Sequence, residues 1–305
     1  MENTKLTGQH FGVECSVSVI IVSYNTSDLL SACLKSLERE LANSRLAGQA
    51  EIFVVDNNSR DGSSDMVKTE FPRVRLIQNT ENLGFGKANN RAIERAKGDY
   101  LFFLNPDAEV CQGAIAVMLD FMKKTTDIGL AGTALIFPDG SPQPSVEKTY
   151  PGARYAAADL QNLPGDIAWV MGASMIARAG LIKRIGGFDE RFFLYGEDID
   201  LCLSVRKHGF AVGYIPDAVI IHHEGQSEKN SLPLHVFEKK MAAAILFFKK
   251  HYSGKSRKTI RNIQSLQAIW RIFSLRISLL FFPSDPDRRQ KLSKYKKILS
   301  FYKSF

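Results

Sequence analysis

Glu197, Asp198 and Asp200 put three carboxylates into four residues, directly after Phe192-Phe193-Leu194-Tyr195-Gly196 and at the head of a segment with helical spacing to His208. Carboxylates this close repel one another, so the charge invites a use. Asp198 is a candidate general base, which must be ionised at working pH and within hydrogen-bond reach of the proton it takes. Glu197 and Asp200 beside it would raise its pKa, while a helix N-terminus or a nearby metal would lower it. The cluster also fits an ordinary helix start, because anions there gain about 0.3–1 kcal/mol from the backbone dipole.

A second group is Asn105-Pro106-Asp107. Pro106 holds Asn105 extended and ends the preceding apolar run, which leaves the Asp107 carboxylate at the tip. Hard divalent cations take oxygen ligands, often one or two carboxylates completed by substrate phosphates, so Asp107 could hold Mg²⁺ or Mn²⁺ against a diphosphate. His222 and His223 end a later apolar run. Neighbouring strand residues point to opposite faces, so one of the two would face the same crevice, where imidazole suits Mn²⁺ better than Mg²⁺. A plain Asn-Pro turn and a surface histidine turn are the alternatives.

These residues need a frame to bring them together. Ser16 to Ser23 reads as a buried strand and Asp28 to Leu41 as a helix. Strands at Glu51–Val55, Val74–Gln78 and Asp99–Leu104 alternate with helices from about Ser63 and from Gly84 to Ala96. Such alternation predicts an α/β fold with a mostly parallel sheet flanked by helices, which binds ligands at the carboxyl ends of its strands. Tyr24, Asn25, Asp56, Asn57 and Asp107 all fall at those ends. Beyond Ile136 the rhythm breaks, with a long loop expected over 138–164, an apolar strand over Ala168–Ala177 containing Trp169, and two strands at Phe210–Ile215 and Ala218–Ile221.

Several chemistries are excluded. Gly84-Phe85-Gly86-Lys87-Ala88-Asn89 lacks the third glycine of a dinucleotide fingerprint and follows the third strand rather than the first. Neither a Walker loop nor a G-x-S-x-G elbow is present. Cys15, Cys33, Cys111 and Cys202 are scattered without zinc-site spacing and read as reduced core residues.

Taken in order, the motifs resemble family 2 glycosyltransferases of the GT-A fold, and most closely the rhamnosyltransferase-like branch. The matching segments begin with Val19-Ile20-Ile21-Val22-Ser23-Tyr24-Asn25, Val54 to Ser63 (Val-Val-Asp-Asn-Asn-Ser-Arg-Asp-Gly-Ser) and Asn82 to Asn90. They continue with Phe103 to Asp107, Gly186 to Phe193 and Glu197 to Leu201. The resemblance spans roughly residues 16–227 and implies a nucleotide-sugar donor and a glycan or lipid-linked glycan acceptor. It implies nucleobase contacts from Tyr24 and Asp56, a donor pocket lined by Asn25, Asn57, Asn82, Lys87, Asn105 and Asp107, and metal ligands in Asp107 and His222. It further implies Asp198 as the base of an inverting displacement, supported by Glu197 and Asp200, with Trp169 either stacking on a sugar or belonging to the core. The family's first D-x-D aspartate is Asn105 here, which removes one charge from the metal side. The expected donor is dTDP-L-rhamnose for cell-surface polysaccharide synthesis. The alternatives are a UDP-sugar donor, or a non-catalytic glycan-binding or assembly protein on the same fold.

Charge divides the 305-residue chain. From Lys239 onward there are 17 Lys and Arg against Asp285 and Asp287, a net +15, so the first 238 residues carry −7 of the total +8. The expected organisation is an N-terminal tail (1–15), a catalytic domain (16–232) and a basic helical extension (233–305). Ile260 to Phe282 mixes aliphatic residues with Arg261, Arg271 and Arg276. It is too short in apolar sequence to span a bilayer but suited to lie on one, or else to cap the protein. No signal peptide is recognisable, and a cytoplasmic location, peripheral on the inner membrane face, is expected. The acidic body argues against a nucleic-acid partner. Association into a homo-oligomer stays open.

Overall fold

In the computed structural model, residues 17–43, 48–223, 233–303 and 305 are described. The expected tail at 1–15 and the segment Glu224-Gly225-Gln226-Ser227 after the paired histidines lie outside them. The first half follows the expected alternation: β1 (Val17–Ser23), α1 (Ser27–Asn43), β2 (Ala50–Asp56), α2 (Ser63–Glu70), β3 (Arg75–Gln78), α3 (Phe85–Ile93) and β4 (Tyr100–Leu104). Then come β5 (Ala108–Val110), α4 (Ala114–Lys124) and β6 (Ile128–Ile136).

β1 is buried at every position, as a strand covered on both faces must be. Its side chains alternate between two cores. Val17, Val19 and Ile21 pack with Leu30, Leu34 and Leu37 of α1, and Ile20 and Val22 pack with Ala88 and Ala92 of α3.

The loop expected over 138–164 carries two short strands, β7 (Pro142–Gln143) and β8 (Val146–Glu147), and two 3₁₀ turns. The single strand expected over Ala168–Ala177 is two: β9 (Trp169–Val170), paired with β8, and β10 (Ser174–Arg178), which enters the main sheet. The break falls at Met171-Gly172-Ala173, where the chain leaves the small sheet for the large one. After α5 (Ala179–Ile185) and α6 (Glu197–Lys207), the two strands expected at 210–221 form one, β11 (Ala211–His222). A register shift between Ile215 and Val219 accommodates Pro216, which cannot donate to the ladder.

Among the described residues the main sheet has nine strands in the order β3-β2-β1-β4-β10-β6-β11-β5, with β7 on β6. Its β3-β2-β1-β4 half is parallel throughout. β10 runs antiparallel between β4 and β6, and β5 and β7 are also antiparallel to their neighbours. The parallel character expected of the sheet therefore belongs to the nucleotide-binding half, and the remainder is mixed.

The basic extension folds as α7 (Pro233–His251), α8 (Gly254–Phe281) and α9 (Pro286–Lys303). Its first helix is not an appendage. Phe247, Phe248 and Tyr252 share a third core with Tyr150, Phe192 and Leu203, joined by Ile260 of α8 and Tyr302 of α9. Phe247 stacks 5.9 Å from Tyr150 and is 1% exposed. Phe247→Ala is expected to cost about 3–5 kcal/mol, read as a lower urea midpoint of one cooperative transition. An unchanged midpoint would mean that α7 contributes nothing to the body.

Candidate functional site

The carboxyl ends of β1, β2 and β3 are laced into one rim. Asn25, with φ 53°, receives the Arg60 N–H on its side-chain oxygen (2.8 Å) and donates its own N–H to Ser59 Oγ (2.9 Å). The Ser27 N–H reaches Asp61 Oδ2 at 2.8 Å. Asn57, expected to line the donor pocket, is buried and fully used in holding loops together. It donates to the Gly84 carbonyl (3.1 Å) and accepts from Asn79 Nδ2 (2.7 Å) and, longer, from the Leu83 N–H (3.4 Å). Asn82 turns the chain into α3 by accepting the Gly84 N–H at 3.0 Å. Tyr24 and Lys87 stand exposed on this rim and in the first turn of α3.

Asp56 is 3% exposed at the end of β2. Its Oδ2 accepts the Ser59 N–H at 3.1 Å, while Oδ1 is buried with no hydrogen-bond partner. Such an orphan is uncommon in a folded interior and is a ready acceptor for a ring N–H.

Asp107 has the same property: its Oδ1 is buried and unpartnered, and His222 Nε2 lies 3.4 Å away. His222 was placed by the pairing of β11 with β5, which sets it opposite Ala108, while the His223 N–H bonds the Asp107 carbonyl at 2.9 Å. His222 Nδ1 lies 3.0 Å from Gln143 Oε1, a contact that fixes the ring with Nε2 facing Asp107. His223 points elsewhere, to Glu109 Oε1 at 3.1 Å. One carboxylate and one oriented imidazole suit a divalent cation that completes its shell with phosphate oxygens and water. Among the described residues no cluster of three or more His, Cys, Asp or Glu forms a closed metal cage.

The β9–β10 turn joins this corner to the acidic cluster. The Asn105 N–H donates to the Ala173 carbonyl (2.9 Å), and the Gly172 N–H donates to Asp198 Oδ2 (3.1 Å). Asp198 Oδ1 accepts the Ile199 N–H at 2.8 Å. A Cβ on Gly172 would come within 3.3 Å of the Asp198 Cβ and press directly on the side chain that Gly172 orients. Trp169, just upstream, is half-buried between two cores and spends its indole N–H on the Thr149 carbonyl (3.2 Å).

The three carboxylates of α6 have separate surroundings. Burial pushes Asp198 above the ordinary carboxylate value, against the pull of the Ile199 and Gly172 N–H groups. Burial, reinforced by the Asp198 charge, pushes Glu197 up to about 8, and its Oε2 is buried without a partner. Asp200, expected with Glu197 to support Asp198, bonds the basic extension. Its oxygens accept from Lys250 Nζ (2.8 Å) and His251 Nε2 (2.7 Å), and Lys250 also reaches Asp189 Oδ2 at 2.8 Å. The cause is the docking of α7 onto α6, a long-range contact with no local signature.

Sequence reasoning therefore missed Gln143, Gly172, Lys250 and His251. Of these only Gly172, a glycine beside Ala173 inside an apolar run, carried a turn signal.

Glu197 gives a pH dependence whose sign is fixed. Its folded pKa is raised above the ordinary 4.5, so its contribution to stability is whole below about 4.5 and is lost as pH rises through about 8. Glu197→Gln should therefore melt several degrees above the parent at alkaline pH, with the gap closing toward pH 5. A gap independent of pH would show that Glu197 does not titrate in this way.

The family model described as glycosyl transferase family 2 matches residues 18–186, more than half of the chain. An N-acetylglucosaminyl-diphospho-decaprenol L-rhamnosyltransferase of Mycobacterium tuberculosis is 29% identical over 257 residues, 74% of this chain and 83% of its own length. Among solved structures, a mannosyltransferase of Pyrobaculum calidifontis in complex with GDP-Man and Mn²⁺ superposes with a TM-score of 0.55 at 17% identity. It covers 95% of this chain and 86% of that one. S. aureus TarS 1–349 in complex with UDP-GlcNAc gives 0.56 at 17% identity, covering 92% and 79%. At that identity the likeness speaks for the fold, which is GT-A.

Proposed function

The chain belongs to glycosyl transferase family 2, and from that premise we propose an inverting transferase that moves a hexose from a nucleoside diphosphate to a lipid-linked glycan in cell-surface polysaccharide synthesis. The favoured donor is dTDP-L-rhamnose. Its support is the Mycobacterium tuberculosis relative, whose name gives both an L-rhamnosyl transfer and a diphospho-decaprenol acceptor. A UDP-sugar is the second reading, favoured by the UDP-GlcNAc bound to TarS.

In this reading Asp56 Oδ1 accepts the pyrimidine N–H and Tyr24 covers the base. Asn25, Asn57 and Asn82 shape the rim, and Lys87 in the first turn of α3 attracts the diphosphate. Asn105 and Asp107 form the floor beneath it. Asp107 and His222 would hold Mg²⁺ or Mn²⁺; the mannosyltransferase of like fold is in complex with Mn²⁺. Such an ion offsets the charge that develops on the departing diphosphate. Asp198 takes the proton of the acceptor hydroxyl as that oxygen attacks the anomeric carbon from the face opposite the leaving group. Glu197, protonated at neutral pH, adds no competing charge beside it.

One observation carries the proposal: a single turn bonds both the Asp107 loop, through Asn105, and the carboxylate of Asp198, through Gly172. Base and diphosphate floor are thereby held in fixed relation, which is what a displacement between two bound reactants requires.

The test is a donor screen with Mg²⁺ or Mn²⁺ and a lipid-linked acceptor, reading nucleoside diphosphate release. Turnover with dTDP-rhamnose is expected; none with any donor would defeat the enzymatic reading. Asp198→Asn should lose about 10²–10⁴-fold in turnover while still binding nucleotide. A fully active variant would remove Asp198 from the mechanism. Gly172→Ala should lower turnover by roughly ten-fold or more by displacing Asp198, with little change in nucleotide affinity. Parent-like turnover would show that the turn does not set the base.

A further inference from the structure

Most large apolar side chains of the described residues are buried, but ten are exposed and eight of these lie between Leu266 and Phe282. Leu266, Ile269, Trp270, Phe273, Ile277 and Leu280 fall within an arc of about 100° at the helical repeat, so they make one stripe along α8. The stripe faces away from the protein. The opposite side of α8 packs on α9, where Ala268 is 1% exposed, and Ile260 at its base enters the third core. A patch of this kind on an otherwise well-packed chain marks a contact surface.

The charge around the stripe selects its occupant. Residues 254–303 carry thirteen Lys and Arg against Asp285 and Asp287, a net +11. Lys258 and Arg276 lie together on one edge of the arc, both exposed. A second copy of this chain would bring the same positive hairpin against itself. An anionic bilayer brings apolar depth for the stripe and negative headgroups for the flanking cations. No helix among the described residues is long and apolar enough to cross a membrane.

We infer that the outer face of α8 lies in the interface of an anionic lipid bilayer, with Trp270 and Phe273 at headgroup level and Lys258 and Arg276 on the phosphates. The inference does not depend on the donor, the acceptor or the catalytic assignment. It adds that the body is anchored near its base helix, because α7, which precedes α8, is clamped to α6 through Asp200.

The test is flotation of the full chain with vesicles of phosphatidylcholine, with and without phosphatidylglycerol, and needs no turnover. Flotation with the anionic vesicles that weakens as salt rises is expected. A Leu266→Ser, Trp270→Ser, Phe273→Ser triple variant should lose about ten-fold or more of the partition, with its circular dichroism and nucleotide binding unchanged. Lys258→Glu with Arg276→Glu should lose the preference for phosphatidylglycerol. Three outcomes would overturn the inference: failure of the parent to float, equal flotation of the triple variant, or a dimer in light scattering that the triple variant splits while neither protein binds vesicles.

Discussion

The arrangement of the site rests on the turn at Met171-Gly172-Ala173. Its backbone offers one donor and one acceptor within two residues, and each is committed to a different side of the crevice. Backbone groups make good reference points because the sheet fixes them: β10 leads directly out of the turn into pairings with β4 and β6. A hydrogen bond to a charged group contributes more than a neutral one, so the Gly172 contact both orients and stabilises the anion of Asp198.

Three carboxylates coexist in one turn of α6 because their surroundings differ. Successive positions on a helix point in directions about 100° apart, so the three side chains leave one another quickly. Each meets a different remedy for its charge. Glu197 keeps its proton, Asp198 is met by two amide N–H groups, and Asp200 is met by Lys250 and His251. Burying an unpaired charge costs several kcal/mol, and no one remedy could have served all three. The approach to the helix is correspondingly tight. Tyr195 and Gly196 both take positive φ, 71° and 80°, and Lys240 of α7 sits 4.8 Å over the Tyr195 ring.

Much of this was legible from residue order. The strand-helix rhythm to Leu104 and the positions of Asp56, Asp107 and His222 at strand ends follow from local periodicity, which hydrophobic burial enforces. Breaks in that rhythm were harder. Ala168–Ala177 reads as one strand because its residues are apolar throughout, yet β9 and β10 belong to different sheets and only pairing partners distant in sequence decide that. The internal partners of Asn57 have no local signature. Its side chain is consumed by Asn79 and Gly84, which lie more than twenty residues away. The partners of Asp200 could not be read either, since they lie some fifty residues downstream.

The clamp between Asp200 and α7 bears on how such a chain can be divided or recombined. The family pattern ends at residue 186, and motif-bearing sequence ends soon after the paired histidines. A piece cut there would carry Asp200 buried with no counter-ion and would bare Phe192 and Leu203, which α7 covers. The unit that can be exchanged between proteins is thus longer than the unit that can be recognised. A chimera that replaced the region beyond the motifs would leave Asp200 without its partners unless the new segment also offered a cation and an imidazole at the same height.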